Sequence, residues 1–290
     1  MNVVSGTPRD IVFTRHGARR GVGWLREAFA MLWKARVPWL LLLLAYYIAL
    51  GVINLVPVIG TLAVPLLKPV FAVGFLAAAW TQERGGVPHI RQLFQGFRSN
   101  LRALLVIGVV FVVGVTLSVM ATALIDGGKL LDLMSNPPPA DMDRKDAAAR
   151  VESVLLDSRV QLGMLFAALC ALPVVLAVWF APGLIVFQDV GAGTALGASL
   201  RAAMANWRPL AVYGLVVFLF AGILPAVAGG VLMLMTSGLG EGARAVLVYA
   251  VLLPYLTLFV ATLHISDYVS YRDVFHADET PEPPAPASLK

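Results

Sequence analysis

Four ionisable side chains stand inside or at the edges of long apolar runs, and chemistry is to be sought there first. Lys68 interrupts a run from Thr61 to Trp80. An ammonium group at a helix centre costs about 2.5–3.5 kcal/mol on insertion scales. It reads either as a counter-charge for an anionic solute or as a snorkelling side chain. In the second reading its amine reaches the outer headgroups from about eight positions past the turn at 57–60. His264 and Asp267 are three apart, hence on one helix face, with Thr262, Ser266 and Ser270 close by. Such a pair suits a proton relay or a metal site, or else a solvated polar cap at the inner membrane edge. Asp189, after Gln188, reads as a similar interfacial group or as an ion-pair partner for a neighbouring amphipathic helix.

No catalytic signature joins these residues. H-E-x-x-H, G-x-S-x-G and the P-loop are absent. The run Gly191 to Gly197 (GAGTALG) has one residue too many for a dinucleotide fingerprint and follows no strand. Its simpler role is a turn before a helix, with Thr194 as the expected N-cap. His16, His89, His264 and His276 are scattered, and Cys170 is the one cysteine, so no zinc set and no intrachain disulfide is expected. No catalytic residue, cofactor or metal is assigned, and the chain is expected not to be an enzyme.

The elements that must position these side chains are membrane helices. Apolar residues make up 59% of the 290 and charged residues 13%, against about 45–50% and about 25% in soluble domains; mean hydropathy is +0.82. A span needs about 20 apolar residues. The expected spans are 37–56, 61–80, 101–125, 162–187, 210–235 and 243–264, giving an all-α polytopic bundle in a single domain over 1–279. Prolines in the second, fourth, fifth and sixth spans predict breaks or kinks. No cleavable signal is visible, and the tail 280–290 is proline-rich and reads as disordered.

Charge placement sets the expected topology. Arg9, Arg15, Arg19, Arg20, Arg26, Lys34 and Arg36 precede the first span. Such a flank fits a cytoplasmic face touching anionic lipid rather than nucleic acid. Arg84, Arg91 and Arg98, then Arg201 and Arg208, place two further segments on that side. The 126–161 loop has seven acidic and five basic residues and suits the periplasm. Both termini are then cytoplasmic. Within that loop Asn136 to Pro139 reads as a stiff break, and Asp141 to Arg159 as a helix running into the fourth span.

The chain also reads as a threefold repeat: a cytoplasmic amphipathic helix, then a pair of spans. The three amphipathic stripes are Trp24, Leu25, Ala28, Phe29 and Leu32; Ile90, Leu93, Phe94, Phe97 and Leu101; and Leu196, Leu200, Ala203, Met204 and Trp207. Asn100 and Asn206 read as left-handed caps where such helices end. Convergence of interfacial helices gives the same pattern. Gly74 with Ala78, and Ala226 with Gly230, are small pairs that allow close helix contact.

Several stretches carry a resemblance. They are GWLREAFAMLWKARVPWLLL at 23–42, NLVPVIGTLAVPLLKPVFAVGF at 54–75, HIRQLFQGFRSN at 89–100, FAPGLIVFQDV at 180–190, SLRAAMANWRPLAVYGL at 199–215 and SYRDVF at 270–275. In these the chain resembles an uncharacterised family of Gram-negative inner-membrane proteins without assigned activity. The resemblance implies class and topology and carries no site over. In architecture alone the chain is also similar to the membrane region attached to some bacterial glycerophosphodiester phosphodiesterases. The leading functional expectation is a non-catalytic membrane-organising or partner-binding protein, in contact with lipid and with a membrane-protein partner or a second copy. The alternatives are a transporter or channel component with its site near Lys68, and a lipid-modifying enzyme using His264 and Asp267.

Overall fold

The computed structural model describes residues 11–56, 59–139 and 141–276. The expected turn at 57–60 lies partly outside them, and the tail 280–290 and Arg9 wholly outside. Among the described residues the chain is helical and has no strand, the solution hydrocarbon imposes on a backbone that must satisfy its own hydrogen bonds. Six helices are long and apolar enough to cross a membrane: Arg36–Asn54, Gly60–Glu83, Leu101–Asp126, Ser158–Gln188, Trp207–Met235 and Glu241–Phe275.

In chain order the elements are α1 (Arg20–Lys34), α2 (Arg36–Asn54), α3 (Ile59–Glu83), a 3-10 segment (Ile90–Arg98), α4 (Leu101–Met120) and α5 (Ala123–Asp126). Then come α6 (Lys129–Ser135), α7 (Arg144–Leu155), α8 (Ser158–Trp179), α9 (Ala181–Gln188) and α10 (Ala192–Ala205). The last are α11 (Trp207–Phe218), a π-helical turn (Leu219–Ile223), α12 (Leu224–Met235) and α13 (Glu241–Phe275). The Thr14 amide donates to the Val274 carbonyl at 2.7 Å, so the N-terminal segment meets the end of α13. We call this end of the bundle the base and the other the open end.

Proline interrupts only the fourth and fifth spans; Pro173 of α8 and Pro254 of α13 lie inside unbroken helices, where breaks or kinks were expected. α3 runs unbroken through Pro65 and Pro69. The fourth span breaks at Phe180, and α9 restarts with Pro182 in its first turn, where the missing N–H costs nothing. The fifth span widens into the π turn just before Pro225. There the Tyr255 hydroxyl donates to the Phe220 carbonyl at 2.6 Å, satisfying backbone that an unbroken helix would have satisfied itself.

The helix that carries the span expected over 243–264 runs on to Phe275. Asp267, Arg272 and Asp273 interrupt its hydropathy without interrupting the helix. Several expectations elsewhere need correction. The stretch from Asp141 to Arg159 is two helices: Asp143 caps α7 by accepting from the Lys145 amide at 2.7 Å, and Asp157 caps α8 by accepting from Arg159 at 2.8 Å. Gly191, not Thr194, precedes α10. Asn100 is an N-cap, accepting from the Ala103 amide at 3.2 Å, and has no left-handed backbone.

The three short elements of the expected repeat differ in type and in the face they bury. α1 buries Trp24, Leu25, Ala28 and Leu32, with Phe29 half exposed. The second is a 3-10 helix, not an α-helix. α10 packs its Ala195, Ala198, Ser199, Ala202 and Ala203 face, while Met204 and Trp207 of the expected stripe are exposed. Small side chains let α10 lie close on α8 and α9, and the larger apolar ones are left to the lipid.

Candidate functional site

α3, α4, α8, α9 and α13 enclose a cavity of about 220 Å³ in the base half. Its wall holds Lys68, Ala72 and Leu76 from α3, Phe111 from α4, and Val178 and Trp179 from α8. Gly183 from α9 and Asp267 with Tyr271 from α13 complete it. Close backbone contacts set the spacing. A Cβ on Gly108 of α4 would lie 2.2 Å from the Leu66 carbonyl oxygen, so α3 and α4 touch here. A Cβ on Gly183 would lie 2.6 Å from the Tyr271 ring.

The Gly108–Leu66 contact sets α3 beside the second turn of α4, with Lys68 just beyond it along α3. Its Nζ lies over the Phe111 ring, 5.6 Å from the centroid. The side chain is exposed, at the cavity mouth. Among the described residues neither Lys68 nor Asp267 takes part in an ion pair. Trp179, in the same wall, has a buried indole N–H without an acceptor.

The other two candidates lie elsewhere. His264 does not line the cavity. Its ring stacks on Phe75, with centroids 3.9 Å apart and planes within 5°, and meets Tyr46 edge-on at 5.8 Å. The shared helix face of His264 and Asp267 is therefore split between an aromatic stack and the cavity. Asp189 is exposed, ends α9 in a left-handed conformation (φ 50°), and joins no ion pair among the described residues. The described residues hold no group of three or more His, Cys, Asp or Glu able to bind a metal.

A polar network at the base was not foreseen from the sequence. Arg272 donates to Glu27 at 2.6 Å and also to Glu83, which accepts from the Tyr268 hydroxyl. Arg20 donates to both oxygens of Asp273, at 2.5 and 2.8 Å, and to Glu27 at 3.2 Å. Its hydrogen bond to Asp273 raises the Arg20 guanidinium further above its usual pKa. The Trp24 indole donates to Asp273 at 2.9 Å. Asn206 accepts from the His16 amide at 2.8 Å and donates to the Thr14 carbonyl at 2.9 Å. The network thus ties α1, α3, α13 and the N-terminal segment together. Its partners are up to 253 residues apart, and no local pattern links them.

A protein of Burkholderia thailandensis described as a probable inner membrane protein is 30% identical over 273 residues. The match covers 93% of this chain and 96% of that protein. The chain belongs to the same family. Coverage of nearly both lengths makes the shared unit the helix bundle as a whole, not one hairpin of it. No family model and no solved structure matches the chain.

Proposed function

We propose that the protein is a non-catalytic binding or transport component of the bacterial inner membrane, with the Lys68–Asp267 cavity as its site and its base in the cytoplasm. The observation that carries this reading is two opposite charges facing one cavity without pairing. Charged groups within spans are costly and belong mostly to solute pathways or to pairs, and here the two act on each other across the open space without a direct ion pair. Interrupted helices, such as the break at Phe180 and the π turn before Pro225, also accompany binding sites in transporters. The orientation follows from basic residues at the base. Arg36, Arg84 and Arg208 lie over Trp33, Trp80 and Trp207 at 5.4, 4.7 and 5.5 Å, an aromatic and cationic belt suited to anionic headgroups.

Cysteine accessibility tests the reading. In a Cys170→Ser background, Ala72→Cys in the cavity wall is expected to react with a small charged methanethiosulfonate, and Ala78→Cys, which is fully buried, is not. Lys68→Met is expected to abolish rescue of a deletion strain's envelope or solute phenotype at normal expression. An inert Ala72→Cys together with full rescue by Lys68→Met would defeat the reading.

A partner-binding role has its own observation. α12 buries only Pro225, and α13 buries nothing before Ala261. A second copy or another membrane protein would cover these faces. Cross-linking through single cysteines at Val227 and Val246 in native membranes would reveal it.

A further inference from the structure

Resting on that reading of the cavity, we propose that its ligand is a zwitterionic phospholipid of the phosphoethanolamine type, held with its phosphate at Lys68 and its ammonium at Asp267.

The charges of the cavity point to a ligand carrying both signs. The Lys68 ammonium joins no direct ion pair among the described residues and lies over the face of Phe111, while its charge reaches Asp267 across the cavity. The Asp267 carboxylate lines the same cavity and accepts no hydrogen bond among those mapped for the described residues. A buried or half-buried charge demands a partner. Here the half-buried Asp267 has no direct partner, and the counter-charge that acts on it, the exposed Lys68, stands across the same small space. An anion alone would satisfy Lys68 and repel Asp267. A cation alone would do the reverse. A zwitterion satisfies both.

The order of the two charges along the bundle selects a lipid. α3 and α13 run parallel, as His264 on Phe75 and Tyr268 on Glu83 show. Asp267 therefore lies nearer the base than Lys68. In a phospholipid the ammonium is the outermost group, the phosphate is deeper and the acyl chains are deepest. The sequence Asp267, Lys68, then the apolar flanks of the open half repeats that order. The rest of the lining, Ala72, Leu76, Val178 and Gly183 among it, is apolar, and Lys68 stands exposed at the mouth, so a lipid can enter sideways from the bilayer without crossing water.

The full chain purified into nanodiscs of mixed phosphatidylethanolamine and phosphatidylglycerol provides the test, with retained lipid read by native mass spectrometry. Wild type is expected to retain phosphatidylethanolamine at least about fivefold over its share of the disc. Lys68→Met is expected to lose retention of either lipid. Asp267→Asn is expected to keep lipid but drop the headgroup preference to the bulk ratio. Bulk-ratio retention by wild type, or an unchanged preference in Asp267→Asn, overturns the proposal. So does displacement of the lipid by equimolar soluble glycerophosphoethanolamine, which would make the ligand a free solute. If Ala72→Cys reacts while no lipid is retained, the lipid assignment falls and the binding cavity stands. If Ala72→Cys is inert as well, both fall. Thermal unfolding of each variant separates lost binding from lost fold, and Asp267→Asn gives a readout that does not depend on Lys68.

Discussion

The base half and the open half of this bundle are made of the same helices, but they are held together in different ways. At the base, side chains interlock. α9 buries every residue from Ala181 to Phe187, and α13 buries nine residues from Ala261 onward. Towards the open end the same α13 buries none, and α8 buries only Val160 and Gly163. Composition does not explain the contrast, since both halves are apolar. Lipid is as apolar as leucine, so helices in a bilayer adhere through close backbone approach and polar links rather than through burial of apolar area. The base has both. Gly21, Gly74, Gly96 and Gly108 each bring a backbone into contact with a neighbour, and the Arg20–Asp273 and Arg272–Glu27 pairs tie the helix ends. The open half has few of either, and the Lys68–Asp267 cavity lies on the base side of the boundary.

Glycine substitutions break the comparison most sharply. A Cβ on Gly96 would lie 2.0 Å from the Val70 carbonyl oxygen, whereas one on Gly230 would meet nothing within 4 Å. Overpacking costs about 1–3 kcal/mol and more where backbone must move. Gly96→Ala is therefore expected to lose about 3 kcal/mol, and Gly230→Ala to gain up to about 1 kcal/mol from helix propensity. Unfolding in detergent, followed by circular dichroism, measures both. Equal effects would mean that the two halves are packed alike.

The next effect belongs to the polar network. Arg272→Met would leave Glu27 with Arg20 alone and Glu83 with only the Tyr268 hydroxyl among the contacts described. Breaking a buried pair costs about 3–5 kcal/mol, but these carboxylates are 33% and 24% exposed. A loss of about 2 kcal/mol is expected after allowing for solvent screening. Limited proteolysis should then open the segment before α1 first, because Arg20 and Trp24 share the same cluster. Cleavage starting between α12 and α13 would place the weak point in the open half instead.

The six spans were legible because twenty apolar residues in a row leave a helix few alternatives. The breaks at Phe180 and before Pro225 were legible for a similar local reason, the missing proline N–H. What crosses between helices was not. The run of α13 past the expected span to Phe275 was not, because a hydropathy pattern cannot see that Arg272 and Asp273 pair with Glu27, Glu83 and Arg20. The contact between Leu66 and Gly108 sets α3 against α4 beside Lys68, and that contact is invisible in either segment alone. Of the four candidate residues the fold brings Lys68 and Asp267 to one cavity, stacks His264 on Phe75 and leaves Asp189 at a helix end. Helical spacing shows which residues share a face, and only packing shows what that face meets.

A smaller difference separates two tyrosines. The Tyr213 hydroxyl is buried at the base and bonds to Ser266 at 2.8 Å, while that of Tyr255 bonds to the Phe220 carbonyl in the open half. Interhelical hydrogen bonds in membranes average about 0.6 kcal/mol. Tyr213→Phe is expected to cost about 1 kcal/mol, because it also leaves Ser266 without that partner. Tyr255→Phe is expected to cost no more than about 0.6 kcal/mol. Because Tyr255 caps the π turn, hydrogen exchange should rise at residues 219–223 in that variant and nowhere at the base. A larger loss from Tyr255→Phe would show that the π turn holds the open half in place, which its exposure argues against.

The smallest effect lies at the open end, where Lys129 donates to Asp157 and lowers the carboxyl pKa below its ordinary value of 3.8. A depressed folded-state pKa contributes stability that is present above the unfolded value and lost as pH falls through the folded one. At neutral pH the contribution is therefore fully developed, yet Lys129 is half exposed, and exposed pairs contribute little. Lys129→Met is expected to move the Asp157 titration, followed by carbon-13 NMR of the carboxyl group, up toward 3.8, and to leave the unfolding temperature at pH 7 unchanged within error. The cap on α8 should survive, since the Arg159 amide still finds the Asp157 oxygen. A clear fall in unfolding temperature would mean that the connection from α5 to α8 unfolds together with the base. The two halves would then form one cooperative unit, whatever their difference in packing.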